Sequence, residues 1–167
     1  MNQDYELGKA YFLLNKEFEK NKNLTRELIS KEEQYRLLFE LSPDAIFLLS
    51  GKGDILKANK KAISQYGYSE EELLNLHYTK LLEPEKIQQF PENFKKMHEE
   101  KSLFLSRHTK KDKSSLIVEI HTSPIQINHE IFVIMVIRDL TEIKKAEEIK
   151  KENEDLIKAQ FDYGTIG

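Results

Sequence analysis

Ile131-Phe132-Val133-Ile134-Met135-Val136-Ile137-Arg138-Asp139-Leu140-Thr141-Glu142 is the stretch that decides the fold. Its first seven residues are all apolar and mostly β-branched, which reads as a strand whose two faces both need a cover. Asp139 and Glu142 then stand in the spacing of a capping box, immediately ahead of a helix-forming run. A strand therefore hands over directly to a helix.

Working upstream, residues 116–127 and 103–109 alternate or run apolar, with turn residues at 128–130 and 110–114 between the strands. Further back, residues 45–50 and 55–58 flank Gly51-Lys52-Gly53-Asp54 and read as a hairpin. Between the hairpin and the three later strands lie short helical stretches. One runs from Asn59 to Tyr66 and is ended by Gly67; another is opened by the capping box Ser69 and Glu72; a third spans residues 92–100. The predicted architecture is α+β: a five-stranded antiparallel sheet with short helices on one face, a long N-terminal helix and a C-terminal exit helix.

Charge separates the ends from the middle. Residues 1–40 carry 15 charges and residues 140–160 carry 11, whereas residues 41–139 carry only 28, so the ends read as solvated helices around a core-forming centre. The four prolines all fall between Pro43 and Pro124, leaving both ends free to form uninterrupted helices. On these grounds the chain divides into an N-terminal helical zone at 1–40, a core-forming zone at 41–139 and an exit-helix zone at 140–160. In the first segment Leu7, Tyr11, Leu14, Phe18 and Leu28 fall on a heptad seam interrupted by Asn21, Thr25 and Glu32. The seam predicts a homodimer through this helix, with a surface helix folded on its own domain, or a break near residues 23–25, as the alternatives. The helix is also the only apolar candidate to cover the second face of the sheet.

A net charge of −3 is not that of a nucleic-acid binder. No apolar run reaches the roughly 18 residues of a membrane span, and the start lacks the pattern of a signal peptide, so a cytoplasmic chain is expected. Cysteine is absent, which removes disulfides, thiolate metal sites and a cysteine nucleophile. His77, His98, His108, His121 and His129 do not have the spacing of a metal site, and no catalytic constellation or phosphate-binding glycine loop is present. An enzyme is not expected within this chain, and no metal is assigned.

From residue 35 to 148 the sequence resembles a PAS domain, the sensory module of two-component and related signalling proteins. The resemblance is carried by Tyr35-Arg36-Leu37-Leu38-Phe39-Glu40 ahead of Ser42-Pro43-Asp44-Ala45-Ile46, by Asn59, and by Gly67-Tyr68-Ser69-Glu70-Glu71-Glu72-Leu73. It continues in Lys111-Asp112-Lys113-Ser114 and closes with Arg138-Asp139-Leu140-Thr141-Glu142, similar to the family's Asp-Ile-Thr ending. Lys113 and Asn75 stand where the family usually has glycine. Phe161-Asp162-Tyr163-Gly164-Thr165-Ile166-Gly167 is similar to the opening of another such domain, which makes further domains of one parent chain the expected partners. The resemblance thus implies a helix or coiled coil at 1–34, the PAS domain at 35–140, an exit helix at 141–160 and the start of a following repeat at 161–167.

The resemblance implies a sensor and signal-transmission role, with Arg138, Asp139, Thr141 and Glu142 as the signal junction. Covalent flavin binding and coumaryl binding both need a cysteine that this chain lacks. The position matching the axial histidine of the haem sensors is Phe90, with His98 two turns further on, so no cofactor is assigned and a haem or flavin redox sensor stays an alternative reading. Strand alternation puts Val118, Ile120 and Thr122 on one face, as it does Val133, Met135 and Ile137. With Tyr66, Phe90 and Phe94 these residues could line a pocket for a small apolar molecule; the alternative is a filled core in a ligand-free spacer. Arg107 is a candidate anchor for an anionic ligand.

Overall fold

The computed structural model describes the backbone of residues 3–164 and the side chains of residues 5–160. The chain divides into two compact units, residues 1–41 and 42–167.

The first unit is one helix, α1 (Gln3–Glu40). It is unbroken across residues 23–25, where the Thr25 hydroxyl donates to the Asn21 carbonyl at 2.9 Å within the helix. It continues to Glu40 rather than ending at 34, because no glycine or proline intervenes between Gly8 and Pro43, and Tyr35 stacks on Phe39 one turn later. Leu7, Tyr11, Leu14, Phe18 and Leu28 are all exposed, but so are Phe12, Leu13, Leu24 and Ile29 off the seam. The apolar surface of α1 therefore extends beyond one heptad stripe.

The second unit runs β1 (Ala45–Leu49), β2 (Ile55–Ala58), α2 (Lys60–Tyr66), α3 (Glu70–Leu74), a 3₁₀ turn (Tyr78–Leu81), α4 (Pro84–Ile87), α5 (Phe90–Glu99), β3 (Ser102–Thr109), β4 (Ser115–Ile127), β5 (Glu130–Asp139) and α6 (Thr141–Gly164). The five strands form one antiparallel sheet in the order β2-β1-β5-β4-β3. This is the α+β architecture read from the sequence. The 3₁₀ turn and α4 were not anticipated, since elements of four residues are too short to show a periodic pattern. Beyond residue 160 the backbone stays helical to Gly164; the side chains there, and all of residues 165–167, lie outside the described part.

The apolar run at 131–137 is explained by position, for β5 lies between β1 and β4. Val133, Met135 and Ile137 point into the core beneath the helices and are fully buried. Ile134 and Val136 face the other side, where they are half-buried beside Ile46 and Leu48 of β1, and on edge strand β3 Leu103 and Leu105 stand exposed in the same outward set. The outer face of the sheet thus carries an apolar stripe across β1, β5 and β3, beside the polar Arg107, Glu119 and His121. The turn from β4 to β5 places both Asn128 and His129 at positive φ, the geometry of a tight hairpin. Lys113 holds φ at 72° in the β3–β4 turn, a left-handed conformation that explains why glycine is usual there.

Asn59 ties the first hairpin to the helices. Its Oδ1 accepts from the N–H of Ile46 and of Ala62, each at 2.9 Å, while its amide donates to the Asp44 carbonyl at 3.1 Å. It caps α2 and is fully buried. Replacing Asn59 with Ala leaves three backbone groups without these partners, so chemical denaturation should show a loss of about 2–4 kcal/mol. A loss below about 1 kcal/mol would mean that the backbone re-pairs without the side chain.

Candidate functional site

Each of the nine residues read from sequence as a pocket lining lies in one buried layer between helices and sheet. Val118, Ile120 and Thr122 come from β4, Val133, Met135 and Ile137 from β5, Tyr66 from α2, and Phe90 and Phe94 from α5. None is more than 6% exposed. The layer is filled by side chains: Tyr66 meets Phe47 edge to face at 5.5 Å, and Phe90 stacks on Phe94 at 4.8 Å.

A polar cluster sits inside this layer. Alternation along β3 turns Phe104, Ser106 and His108 inward, and the His108 ring ends between two phenols. Tyr66 Oη lies 2.6 Å from His108 Nδ1, and Tyr78 Oη lies 3.0 Å from Nε2. All three side chains are within 1% of complete burial. With no counter-charge beside it, burial pushes the imidazole down to a pKa of about 3, so the ring is neutral. Burial likewise raises both tyrosines, Tyr66 further through the charges of Tyr78 and Asp139. Next to Tyr66, the amide of buried Gln65 lies close enough to the phenol to offset part of that rise, although neither amide atom reaches hydrogen-bond geometry, and Thr122 Oγ1 deeper in the layer has no partner.

Sequence reasoning missed this cluster. The histidines were weighed against one another for metal spacing, whereas the partners of His108 are tyrosines 42 and 30 positions earlier in the chain. The available signal was the alternation in β3, which places His108 on the same face as Phe104. Among the described residues no group of three or more His, Asp or Glu could hold a metal ion.

A cavity of about 110 Å³ lies between α5 and β3, lined by Tyr78, Phe90, Asn93, Met97, Phe104 and Ser106 among others. It continues through Asn93, Met97 and Phe104 into a shallower groove of about 350 Å³ that reaches Lys96 and Leu103. Of the nine residues read as a pocket, only Phe90 lines this cavity. Arg107 is exposed on β3 and is not among the residues that line the cavity. His98 Nε2 is buried without a partner, and its ring meets Phe94 at 4.6 Å.

The junction after β5 differs from the expected capping box. Asp139 is the last strand residue, paired with Val118, and Leu140 occupies the cap position by accepting the first helical bond from Lys144 N–H at 2.9 Å. Asp139 Oδ1 takes the Thr141 N–H at 2.8 Å, but Glu142 pairs with Lys145 instead of reaching back. The helix start is pinned sideways: Leu140 N–H donates to the Ile117 carbonyl at 2.8 Å, and Ile117 N–H donates to Thr141 Oγ1 at 3.0 Å. Arg138 reaches across the outer face to Asp44 at 3.2 Å, just ahead of β1.

A five-stranded antiparallel sheet with short helices on one face and a direct strand-to-helix joint defines the class of small α+β domains to which the second unit belongs. The chain belongs to the PAS domain family, whose pattern it matches over residues 43–142. It is 30% identical over 120 residues to "Signaling protein YkoW" of Bacillus subtilis, covering 70% of this chain and 14% of that protein. It is 26% identical over 134 residues to "Methyl sulfide methyltransferase-associated sensor" of Methanosarcina acetivorans, covering 79% and 13%. The chain thus spans about a seventh of the curated relatives it matches. Among solved structures, the PAS domain of an HTR-like protein from Haloarcula marismortui superposes with a TM-score of 0.61 at 26% identity, covering 71% of this chain and 98% of that one. A PAS domain from Colwellia psychrerythraea gives 0.62 at 24%, covering 66% and 97%. No helix among the described residues is long and apolar enough to cross a membrane.

The buried imidazole makes stability depend on pH in a predictable direction. The folded pKa of about 3 lies below the unfolded value near 6.5, so between these limits the unfolded chain binds the extra proton. The full contribution of neutral His108 is present above about pH 6.5 and is lost as pH falls toward 3. Wild-type stability should drop by about 2 kcal/mol between pH 7 and pH 5, and His108→Gln should remove most of that slope in denaturant titrations. An equal slope in both proteins would place the ring in contact with water.

Proposed function

We propose that this PAS domain is a dimerising transmission module in a cytoplasmic multidomain signal-transduction protein, relaying conformational change between its two flanking helices. The observation that carries the reading is the bonding around the places where the chain enters and leaves the domain. Asp44 follows α1 closely and Arg138 shortly precedes α6; the two are ion-paired, and the first residues of α6 are bonded to Ile117 of β4. Movement in the sheet must therefore move the start of α6.

Dimerisation is supported by apolar surface that one copy leaves in water. Leu7, Tyr11, Leu14 and Phe18 on α1 are each more than 60% exposed, and Ile149 and Leu156 on α6 are similarly bare. Stripes of this length on solvated helices are stable when a second copy covers them. A second reading, a sensor that retains a small apolar molecule, is favoured over a passive spacer by the cavity between α5 and β3. In this reading the nine-residue inner layer is the packed wall behind the ligand.

Light scattering on the whole chain should give the mass of a dimer, and Leu14→Glu combined with Phe18→Glu should give a folded monomer. An unchanged dimer in the variant would move the interface away from α1. The transmission step has its own check. Thr141→Val removes the acceptor for Ile117 N–H at a cost of about 1 kcal/mol, too little to unfold the domain. Amide exchange in the first turns of α6 should quicken while the sheet keeps its protection; unaltered exchange in α6 would disconnect the helix from β4.

A further inference from the structure

We propose that Tyr66, His108 and Tyr78 form a hydrogen-bond relay whose one unspent proton sits on Tyr78, making that hydroxyl the recognition group for a small neutral carbonyl compound held between α5 and β3. The inference rests on the sensor reading of the cavity and is independent of the dimer.

Proton counting leads to it. A neutral imidazole has one donor and one acceptor, so the cluster holds three polar hydrogens, two on phenols and one on the ring. Two contacts consume two of them. The 2.6 Å separation between Tyr66 Oη and Nδ1 is that of an O–H donor, whereas 3.0 Å between Tyr78 Oη and Nε2 is usual for N–H donating to oxygen. Tyr66 therefore donates to Nδ1, and Nε2–H donates to Tyr78. The Tyr78 O–H is left over, and it has no acceptor among the described groups of the protein. A buried donor without an acceptor is unfavourable, which gives a ligand oxygen its advantage there.

The cavity supplies the rest of the specificity. Tyr78 lines it together with Phe90, Met97 and Phe104. A void of about 110 Å³ suits a molecule of roughly six or seven non-hydrogen atoms, given that benzene occupies a cavity of about 150 Å³. The one cation in the lining, Lys86, is exposed, so a carboxylate pressed against Tyr78 would lose its hydration without a buried counter-charge. A ketone or amide carbonyl meets both constraints.

The test uses the full chain, labelled with ¹⁵N-histidine, and two probes of one shape, cyclohexanone and methylenecyclohexane. The His108 signals should show the proton on Nε2, and NMR titration should show cyclohexanone binding about tenfold more tightly, the effect of one hydrogen bond to a buried donor. Tyr78→Phe should abolish the preference. Tyr66→Phe, although Tyr66 is not in the cavity lining, removes the donor that holds Nδ1 as an acceptor, so part of the ring proton should shift to Nδ1 in the His108 signals and the preference should weaken. A proton on Nδ1 in the wild-type chain, or equal binding of the two probes, overturns the relay while leaving the cavity as a site. Failure of both probes to bind overturns the cavity reading as well. The wild-type measurements stand even where a variant does not fold.

Discussion

The pairing of β5 between β1 and β4 is the constraint on which the rest of the domain depends. The last strand of the sequence occupies the middle of the sheet, joined to β1 from Ala45↔Ile137 to Leu49↔Val133 and to β4 from Val118↔Asp139 to Ile127↔Glu130. Until it is in place the first hairpin and the β3–β4 pair have no common edge. This is why Val133, Met135 and Ile137 must be apolar: the inward residues of a central strand meet the densest part of the core. It also makes folding depend on contacts distant in sequence, with β1 and β5 some ninety residues apart.

The same pairing brings the two ends of the domain together. Since β1 is the first strand and β5 the last, their antiparallel contact sets the residue that follows α1 against the residue that precedes α6. The Asp44–Arg138 pair is exposed enough to contribute little to stability. Its value is positional, because it fixes the register at the place where both flanking helices attach. Thr141 and Leu140 extend that register into α6 through Ile117, so the helix start belongs mechanically to β4 as much as to β5.

Much of the fold was legible because its causes are local. The alternation of β4, the turn at Asn128 and His129, and the capping box of Ser69 and Glu72 each depend on residues within a few positions, and the structure has all three. What failed to show depends on tertiary context. The spacing of Asp139 and Glu142 suggested a capping box, but the ladder claims Asp139, and Lys145 pairs with Glu142. The inward face of β4 and β5 was readable from period two, so the nine residues were brought together as a layer; whether such a layer is hollow depends on volumes that no periodicity records. The sheet order depends on which strands meet across the domain, which no local pattern records.

The polar cluster in the core is a different kind of constraint from the apolar layer around it. Burying an imidazole and two phenols removes hydrogen bonds to water, and the loss is offset only if the Tyr66 and Tyr78 contacts to His108 form together. Those three residues belong to α2, the 3₁₀ turn and β3, elements joined outside the ladder by single backbone links, a bridge from Leu82 to His108 and the bond from Lys111 N–H to the Tyr66 carbonyl. An apolar trio would tolerate a slip of half an ångström at the expense of some packing. Here the same slip strands a polar atom in a dry environment, so the cluster selects one arrangement of the helices over the edge strand. That edge carries the one wall of the α5–β3 cavity that strand pairing supports from one side only. The edge strand is therefore held beneath the helices by directed hydrogen bonds as well as by the packing of the three rings.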